Sequence, residues 1–391
     1  MDDQSHHSIG VAVVGFPYVR ENFFAVFRRW PEPDRIRFLL PRSWPIKGGA
    51  VIYRPPADPR ITTARALFSQ YHDRIPVIGG LLKGWMPTFP LFLWRNRNRT
   101  NLVYACSEPI LLVTFYYAFW TRLLGKKLVL FSWENIPYER KFSGISRLVH
   151  EALLRLNLSL TDGLMCGNSE GAAIHREYTR KPIAVIPMNG LDPDVFTRHD
   201  THRTNPSETI VYAFVGAIGE RKGIQNMLKA FPEVLRHIPD AHLIIAGSGE
   251  YEGRIRPLIQ ELSLREHVTR LPWVSHHELI RLLSASDVFV YPSIPNRGWA
   301  EQFGYSMAEA SLMELPVIST KSGSIADVVK DGQTGMLVPP NDVQALADAM
   351  VRLGADADLR RRMGQAGRAY ISATYSNEIV ARKMYDFFRS L

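Results

Sequence analysis

TIVYAFVGAIGERKGI, residues 209–224, packs three elements into a short run: a β-strand ending at Gly216, a loop holding Gly219, and Lys222-Gly223 opening a helix. The strand is apolar without alternation, as a strand covered on both faces requires. A glycine-bearing loop at a helix start aims N–H groups and the positive end of the helix dipole at an anion. Arg221 and Lys222 add full positive charge. The loop lacks the Gly-Lys-Ser/Thr ending of a Walker A and the spacing of a dinucleotide fingerprint. From these residues alone it is either a phosphate site or a plain strand–helix turn with surface basics.

The same alternation extends both ways along the chain. After it come strands at 241–247, 267–272, 286–293, 316–320 and 334–340, with helices at about 223–237, 251–263, 276–284, 305–314, 342–354 and 358–373. Before it come strands at 10–16, 36–40, 50–53, 102–106, 127–133, 162–168 and 183–187. Strands alternating with helices predict parallel sheets with crossover helices. NGLDPDVFTRHDTHRTNPSET (189–209), rich in Pro, Asn, Asp and Thr, is the expected break between two domains. The chain has 391 residues, more than the roughly 250 at which single cores stop growing. The fold class is therefore α/β, two Rossmann-like doubly wound domains facing across a cleft. The expected bounds are 1–195, a linker at 196–208, 209–373, and a final helix in 374–391 packing back on the first domain. Ligands of open α/β sheets sit beyond the carboxyl ends of strands, so the cleft is the expected site.

Composition excludes several classes. At 46% hydrophobic and 22% charged, with no long charge block, the chain is not disordered. Its most apolar run, ILLVTFYYAFW (110–120), falls short of the roughly 20 residues a spanning helix needs. The start, MDDQSHHSIG, has no secretory pattern. Cys106 and Cys166 lie in strand-like segments, which excludes a disulfide scaffold and leaves a cytoplasmic, reduced protein as the expectation. Residues 1–200 hold 26 Lys+Arg against 17 Asp+Glu, while the rest holds 21 of each. All the excess charge sits in the first half, which implies an acidic partner there: nucleic acid, an anionic membrane surface or a phosphorylated acceptor.

A second constellation is YPSIPNRGWAEQFGYSMAEASLMELP (291–316). After a strand comes a loop with Glu301, then Phe303, Gly304 and a helix from about Tyr305. Glu309, expected in about its first turn, follows Glu301 by eight positions. Two carboxylates around an N–H-rich helix start suit a ligand carrying both hydroxyls and phosphate. Equally, Glu301 could be solvated and Glu309 could merely favour the helix dipole.

Together these segments resemble glycosyltransferase family 4. The resemblance rests on Gly216…Arg221-Lys222-Gly223, AGSGE at 246–250, Ser293, and Glu301-x-Phe303-Gly304 with Glu309. It extends through PVISTKSGSIADVVKDGQTGMLVPPNDVQALADAM (316–350) and PMNGLDPDVF (187–196), and is thin before 183. It implies the GT-B architecture and a retaining transfer of a hexose from a UDP- or GDP-linked donor, with no metal or other cofactor. Lys222 would meet the diphosphate and, with Arg221, steady the charge of the leaving group. Glu309 would bind the ribose and Glu301 the transferred sugar. Gly216, Gly219 and the amides of Phe303, Gly304 and Tyr305 would complete the donor site. Three positions depart from the pattern. Ala217 stands where the family carries Arg, Phe131-Ser132-Trp133-Glu134-Asn135 lacks the expected His, and GFPYVRENF (15–23) replaces a Gly-Gly loop.

The first half has its own segment, IPVIGGLLKGWMPTFPLFLWRNRNR (75–99), where Trp85, Phe89, Phe92 and Trp94 precede Arg95, Arg97 and Arg99. An aromatic face beside an arginine cluster is what an interfacial membrane element requires. The bland alternative is a helix with buried aromatics and solvated arginines. The run 110–127 is expected to be buried helix rather than a second such element. His276-His277-Glu278 belongs to a capping box opened by Ser275 rather than to a metal site. Asp192, Asp194, Asp356 and Asp358 are read as loop carboxylates, and Met307 and Met313 as core. The expected partners are thus a nucleotide sugar, a lipid-linked or anionic acceptor and the inner face of an anionic membrane. No nucleic-acid module is present. Alternatives are a soluble acceptor, a related epimerase, or a weak nucleotide-sugar binder, the last prompted by Ala217.

Overall fold

A computed structural model describes residues 8–15, 21–46, 51–68, 80–198 and 209–391. Residues 199–208 of the expected linker, 16–20 of the GFPYVRENF segment, position 50 and 75–79 lie outside the described residues. The chain forms two compact units, Met1–Gly190 with Asn377–Leu391, and Leu191–Ser376.

In the first unit, β1 (Val11–Gly15), β2 (Ile36–Pro41), β5 (Ile61–Ala64), β6 (Leu102–Cys106), β7 (Lys127–Ser132), β8 (Gly163–Cys166) and β9 (Ile183–Val185) build a parallel sheet. Its order is β5-β2-β1-β6-β7-β8-β9. The strand expected at 50–53 exists as β4 (Val51–Tyr53), but it pairs antiparallel with β3 (Trp44–Ile46) outside that sheet. Its expected place is taken by β5, whose two threonines are exposed. An edge strand buries little, so ITTA carries too weak an apolar signal to be recognised. The central strand β1 is wholly buried. Phe23 and Phe27 from the helix Glu21–Arg28 meet Phe38 of β2 edge-on, with ring centroids 6.4 and 5.2 Å apart. The last helix, Asn377–Ser390, closes the unit by packing Tyr385 and Phe388 on Trp30.

In the second unit, β10 (Val211–Val215), β11 (His242–Ala246), β12 (Val268–Leu271), β13 (Val288–Tyr291), β14 (Val317–Thr320) and β15 (Gly335–Val338) form a second parallel sheet. The order is β12-β11-β10-β13-β14-β15. The helix Ile224–His237 follows β10 and buries Ile224, Met227, Leu228, Phe231 and Val234, one stripe at helical spacing. Each such side chain contributes about 1.5–3 kcal/mol on burial. The chain order reverses at β10, with β11 on one side and β13 on the other. That reversal opens a crevice at the carboxyl ends of β10 and β13, where open α/β sheets bind ligands.

Candidate functional site

The loops after β10 and β13 meet at this crevice. A single 3₁₀ turn, Glu220–Lys222, is followed by Gly223 at φ +70° and then the helix Ile224–His237. A side chain on Gly223 would collide with the Pro292 carbonyl just past β13, so glycine is what lets the loops touch. The Ile294 N–H donates to the Arg221 carbonyl at 2.8 Å, and the Ser293 hydroxyl donates to it at 3.3 Å.

This joint sets Lys222 Nζ 2.6 Å from Glu301 Oε2, with both side chains about one-tenth exposed. The Tyr291 hydroxyl donates to the same oxygen at 3.1 Å. The Lys222 ammonium also lies 4.8 Å from the Trp299 ring centre and 5.0 Å from that of Tyr291. The Arg221 guanidinium stacks on the other cation's tryptophan, at 4.4 Å. Burial pulls the Lys222 ammonium below its ordinary pKa, against the opposing pull of Glu301. Burial, and then the Glu301 charge, hold the Tyr291 phenol well above its own. A desolvated cation held by one carboxylate can exchange that partner for an anionic ligand, because its attraction is little screened.

Glu301 sits on a pinned loop. The Ser324 N–H donates to its carbonyl at 2.9 Å. The next helix, Tyr305–Leu312, begins at Gly304, φ +80°, with no side chain capping its first turn. Tyr305 is its first residue, so half-buried Glu309 is its fifth, just past the first turn. Phe303 is buried against Tyr305 and Tyr375, with centroids 4.6 and 5.0 Å away. Its ring is core. The Gly216 N–H donates to the carbonyl of Ala246 at the end of β11 and the Gly219 N–H to that of Ala217 in its own loop, both at 3.1 Å.

Residues 196–370 match the family model described as glycosyl transferases group 1. The second unit belongs to the group 1 glycosyltransferases. Over 184 residues the chain is 34% identical to a GDP-mannose-dependent monoacylated alpha-(1-6)-phosphatidylinositol monomannoside mannosyltransferase of Corynebacterium glutamicum. That match covers 46% of this chain and 48% of the relative, so it spans about half of each. An alpha-D-kanosaminyltransferase of Streptomyces kanamyceticus is 24% identical over 364 residues, 86% of this chain and 93% of that one. Among solved structures, Anabaena Alr3699/HepE in complex with UDP superposes with a TM-score of 0.74 at 16% identity, covering 98% of this chain and all of that one. Sucrose-phosphate synthase of Thermosynechococcus elongatus gives 0.71 at 21% identity, covering 98% and 99%. The chain has the GT-B fold of these glycosyltransferases.

In the first unit, the loop after β7 carries Trp133 and Glu134 where the resemblance implies a histidine. Glu134 Oε1 accepts the N–H groups of Asn135 and Ile136, each at 3.1 Å, and Oε2 meets Lys141 Nζ at 2.6 Å. Glu108, just past β6, accepts the Ser132 hydroxyl at 2.6 Å and the Trp133 N–H at 2.8 Å. Burial, and then the charge of Glu134, push the Glu108 carboxyl up to about 7. The Trp133 ring lies against Gly167. Both replacements are thus occupied in shaping their own loop.

Several expectations shift. Phe89 and Phe92 are buried in the core, so only Trp94 of that helix (Phe89–Arg95) presents an aromatic ring to solvent, with Arg97 stacked on it at 4.6 Å. Trp85 is half-buried against Tyr116. The run at 110–127 forms the helix Leu112–Leu123, which is buried on one face only. Ser275 and Glu278 make the capping box, and Asp356 caps the helix Ala357–Tyr375. Met307, Met313, Cys106 and Cys166 are buried. Trp299, Tyr291 and Glu108 escaped the sequence reading. The first two stand inside 291–316, and Glu108 is a carboxylate just beyond a strand end, the position that open α/β sheets use for ligands.

Proposed function

We propose that the chain is a retaining hexosyltransferase of family 4, taking its sugar from a UDP- or GDP-linked donor and delivering it to a lipid-linked acceptor. The observation that carries this reading is the buried Lys222–Glu301 pair at 2.6 Å, followed in the chain by half-buried Glu309 on a helix whose start no side chain caps. Lys222 leaves Glu301 for the diphosphate and stabilises the negative charge that grows as the bond to the sugar breaks. Glu301 then accepts hydroxyls of the transferred sugar in place of the ammonium. Glu309 accepts the ribose hydroxyls, and the amides from Phe303 to Tyr305 face sugar and phosphate. Arg221 supplies the second cation where Ala217 stands, and with two cations in place the site requires no metal.

The acceptor end belongs to the first unit, which holds the whole positive excess of the chain. That charge supports an acceptor borne on an anionic membrane, reached peripherally from the cytoplasmic side, where anionic lipid concentrates. The relatives named for phosphatidylinositol mannosides support the same class of acceptor. Donor hydrolysis with a panel of UDP- and GDP-hexoses tests the reading. One donor is expected to turn over with the anomeric configuration retained, followed by NMR of the released sugar. Binding without turnover would instead favour a nucleotide-sugar-binding protein, the alternative that Ala217 raises. Failure to bind any nucleotide sugar would overturn both.

A further inference from the structure

Thirteen large apolar side chains are exposed among the described residues, and nine of them lie on three helices of the first unit. Single exposed leucines are ordinary, but such a concentration is not. The helix Gly144–Leu160 turns Leu154 and Leu158 inward and carries a second apolar stripe outward. That stripe is Ile145, Leu148, Val149 and Leu156, spaced three, four and eleven positions from the first. Ile145 is 80% and Leu148 67% exposed. The helix Leu112–Leu123 repeats the arrangement, with Val113, Tyr117 and Ala118 inward and Leu112, Phe119 and Leu123 outward. A helix apolar all round is ordinarily buried all round, and this one is not. The two helices pack side by side, and the helix Phe89–Arg95 packs on Leu112–Leu123, exposing Leu91 and Trp94.

Charge frames this face. Residues 89–162 hold ten Lys+Arg and five Asp+Glu. Glu134 is buried, Glu151 pairs with Arg147, and Asp162 pairs with Arg122. Arg95, Arg97 and Arg99 are exposed at the carboxyl end of the shortest helix, and Lys126 reaches the Arg97 carbonyl at 2.7 Å. Over the whole unit, 28 Lys+Arg stand against 16 Asp+Glu, a net +12, whereas the second unit has 19 against 22, a net −3.

We propose that the outer face of these three helices docks on an anionic lipid surface, with Ile145, Leu148 and Phe119 entering the acyl boundary and the arginines meeting the headgroups. The proposal deepens the membrane-borne acceptor reading and rests on it, while moving the contact from the 75–99 segment to a broader face centred on Gly144–Leu160. Two strongly positive copies repel, so a second copy of this chain is the poorer occupant. None of the described helices is long and apolar enough to cross a membrane, and a face of this composition lies in the interface instead.

Flotation of the full chain with phosphatidylcholine vesicles, with and without phosphatidylglycerol, tests the proposal. Wild type is expected to float with the anionic vesicles alone. The triple variant Ile145→Ser, Leu148→Ser, Phe119→Ser should lose at least about tenfold in partitioning, with little change in its salt dependence. Arg95→Gln, Arg97→Gln, Arg99→Gln should lose roughly a hundredfold at low salt, and the deficit should shrink as salt rises. Melting temperature and donor hydrolysis should stay as in wild type for both, since all six positions belong to the first unit and the donor site to the second. If wild type floats and the serine variant floats equally well, the face is wrong and the membrane reading stands. If wild type floats with neither vesicle, both fall. If wild type is a dimer that the serine variant turns into a monomer, the face serves a second copy and the proposal is overturned.

Discussion

Each unit sets a lysine 2.6 Å from a shielded glutamate just past the carboxyl ends of parallel strands, yet the two pairs are built differently. Lys141 and Glu134 are seven positions apart, and the second oxygen of Glu134 is taken by two N–H groups of its own turn. Lys222 and Glu301 are 79 positions apart and join the ends of β10 and β13. Glu301 is held by side chains, Lys222 and Tyr291, which can change partners without unfolding a loop. A carboxylate that pins its own turn is structural, whereas one that clasps a lysine and a phenol from other loops can hand those donors to a ligand. Distance alone does not distinguish the two pairs. The span that each pair bridges does.

The largest expected effect tests that distinction directly. Lys222→Ala should lower turnover by about 10²–10³-fold, the size seen when one donor to developing charge is removed, while changing the donor KM far less. Lys141→Ala should leave turnover nearly unchanged. Steady-state kinetics with the donor found by hydrolysis reads both. Equal losses would erase the difference between the pairs.

Next in size, Glu309→Ala should cost donor affinity about 1.5–3 kcal/mol, since ribose hydroxyls would lose a charged acceptor. Calorimetric titration of the nucleoside diphosphate reads this, and unchanged affinity would remove Glu309 from the site. The counterpart in the first unit should behave oppositely. Glu134→Gln should cost stability about 1–3 kcal/mol, seen in chemical denaturation, because Lys141 would be left without its carboxylate, and nucleotide affinity should persist. Its neighbour Glu108 adds a pH signature. Its carboxyl is raised from 4.5 to about 7 in the folded chain, so the folded state binds the proton more tightly. The stability this gives is complete below about 4.5 and is lost as pH rises toward 7. Glu108→Gln should flatten that fall in a series of melting temperatures from pH 4.5 to 8.

The second unit was legible because its elements announce themselves. Unbroken runs such as VYAFV and VFVY sit between helices of clear period, and the glycines at 223 and 304 mark the turns that positive φ requires. The pairing of Lys222 with Glu301 was not legible, since 79 intervening residues hide which strand ends become neighbours. The first unit gave less. ITTA went unread as a strand, AVIY paired elsewhere, and Phe89, open to an interfacial or a buried reading, is fully buried. An apolar run cannot say which of its faces meets the core. In GISRLVHEALLRLNLSL two stripes compete, and only packing decides that Leu154 goes in and Leu148 stays out.

The smallest effect concerns the position where the site departs from its family, Ala217. Arg221 and Lys222 share one indole, at 4.4 and 4.8 Å from Trp299. Lys222 is buried, with Glu301 and Tyr291 to fix it, but Arg221 is exposed, so the ring is what orders its guanidinium. An exposed cation–π contact is worth about 0.5–1 kcal/mol, rising to about 2 when a ligand dries the site. Trp299→Leu should therefore weaken a nucleoside diphosphate by about threefold to thirtyfold while sparing the monophosphate, and Arg221→Gln should do the same. If the ring acts through the arginine, the double variant should bind no worse than either single one, and Trp299→Phe should restore most of the loss. Additive losses in the double variant would mean that Trp299 serves Lys222 instead. Arg221 would then be a surface cation, and the charge missing at Ala217 would have no substitute in this loop.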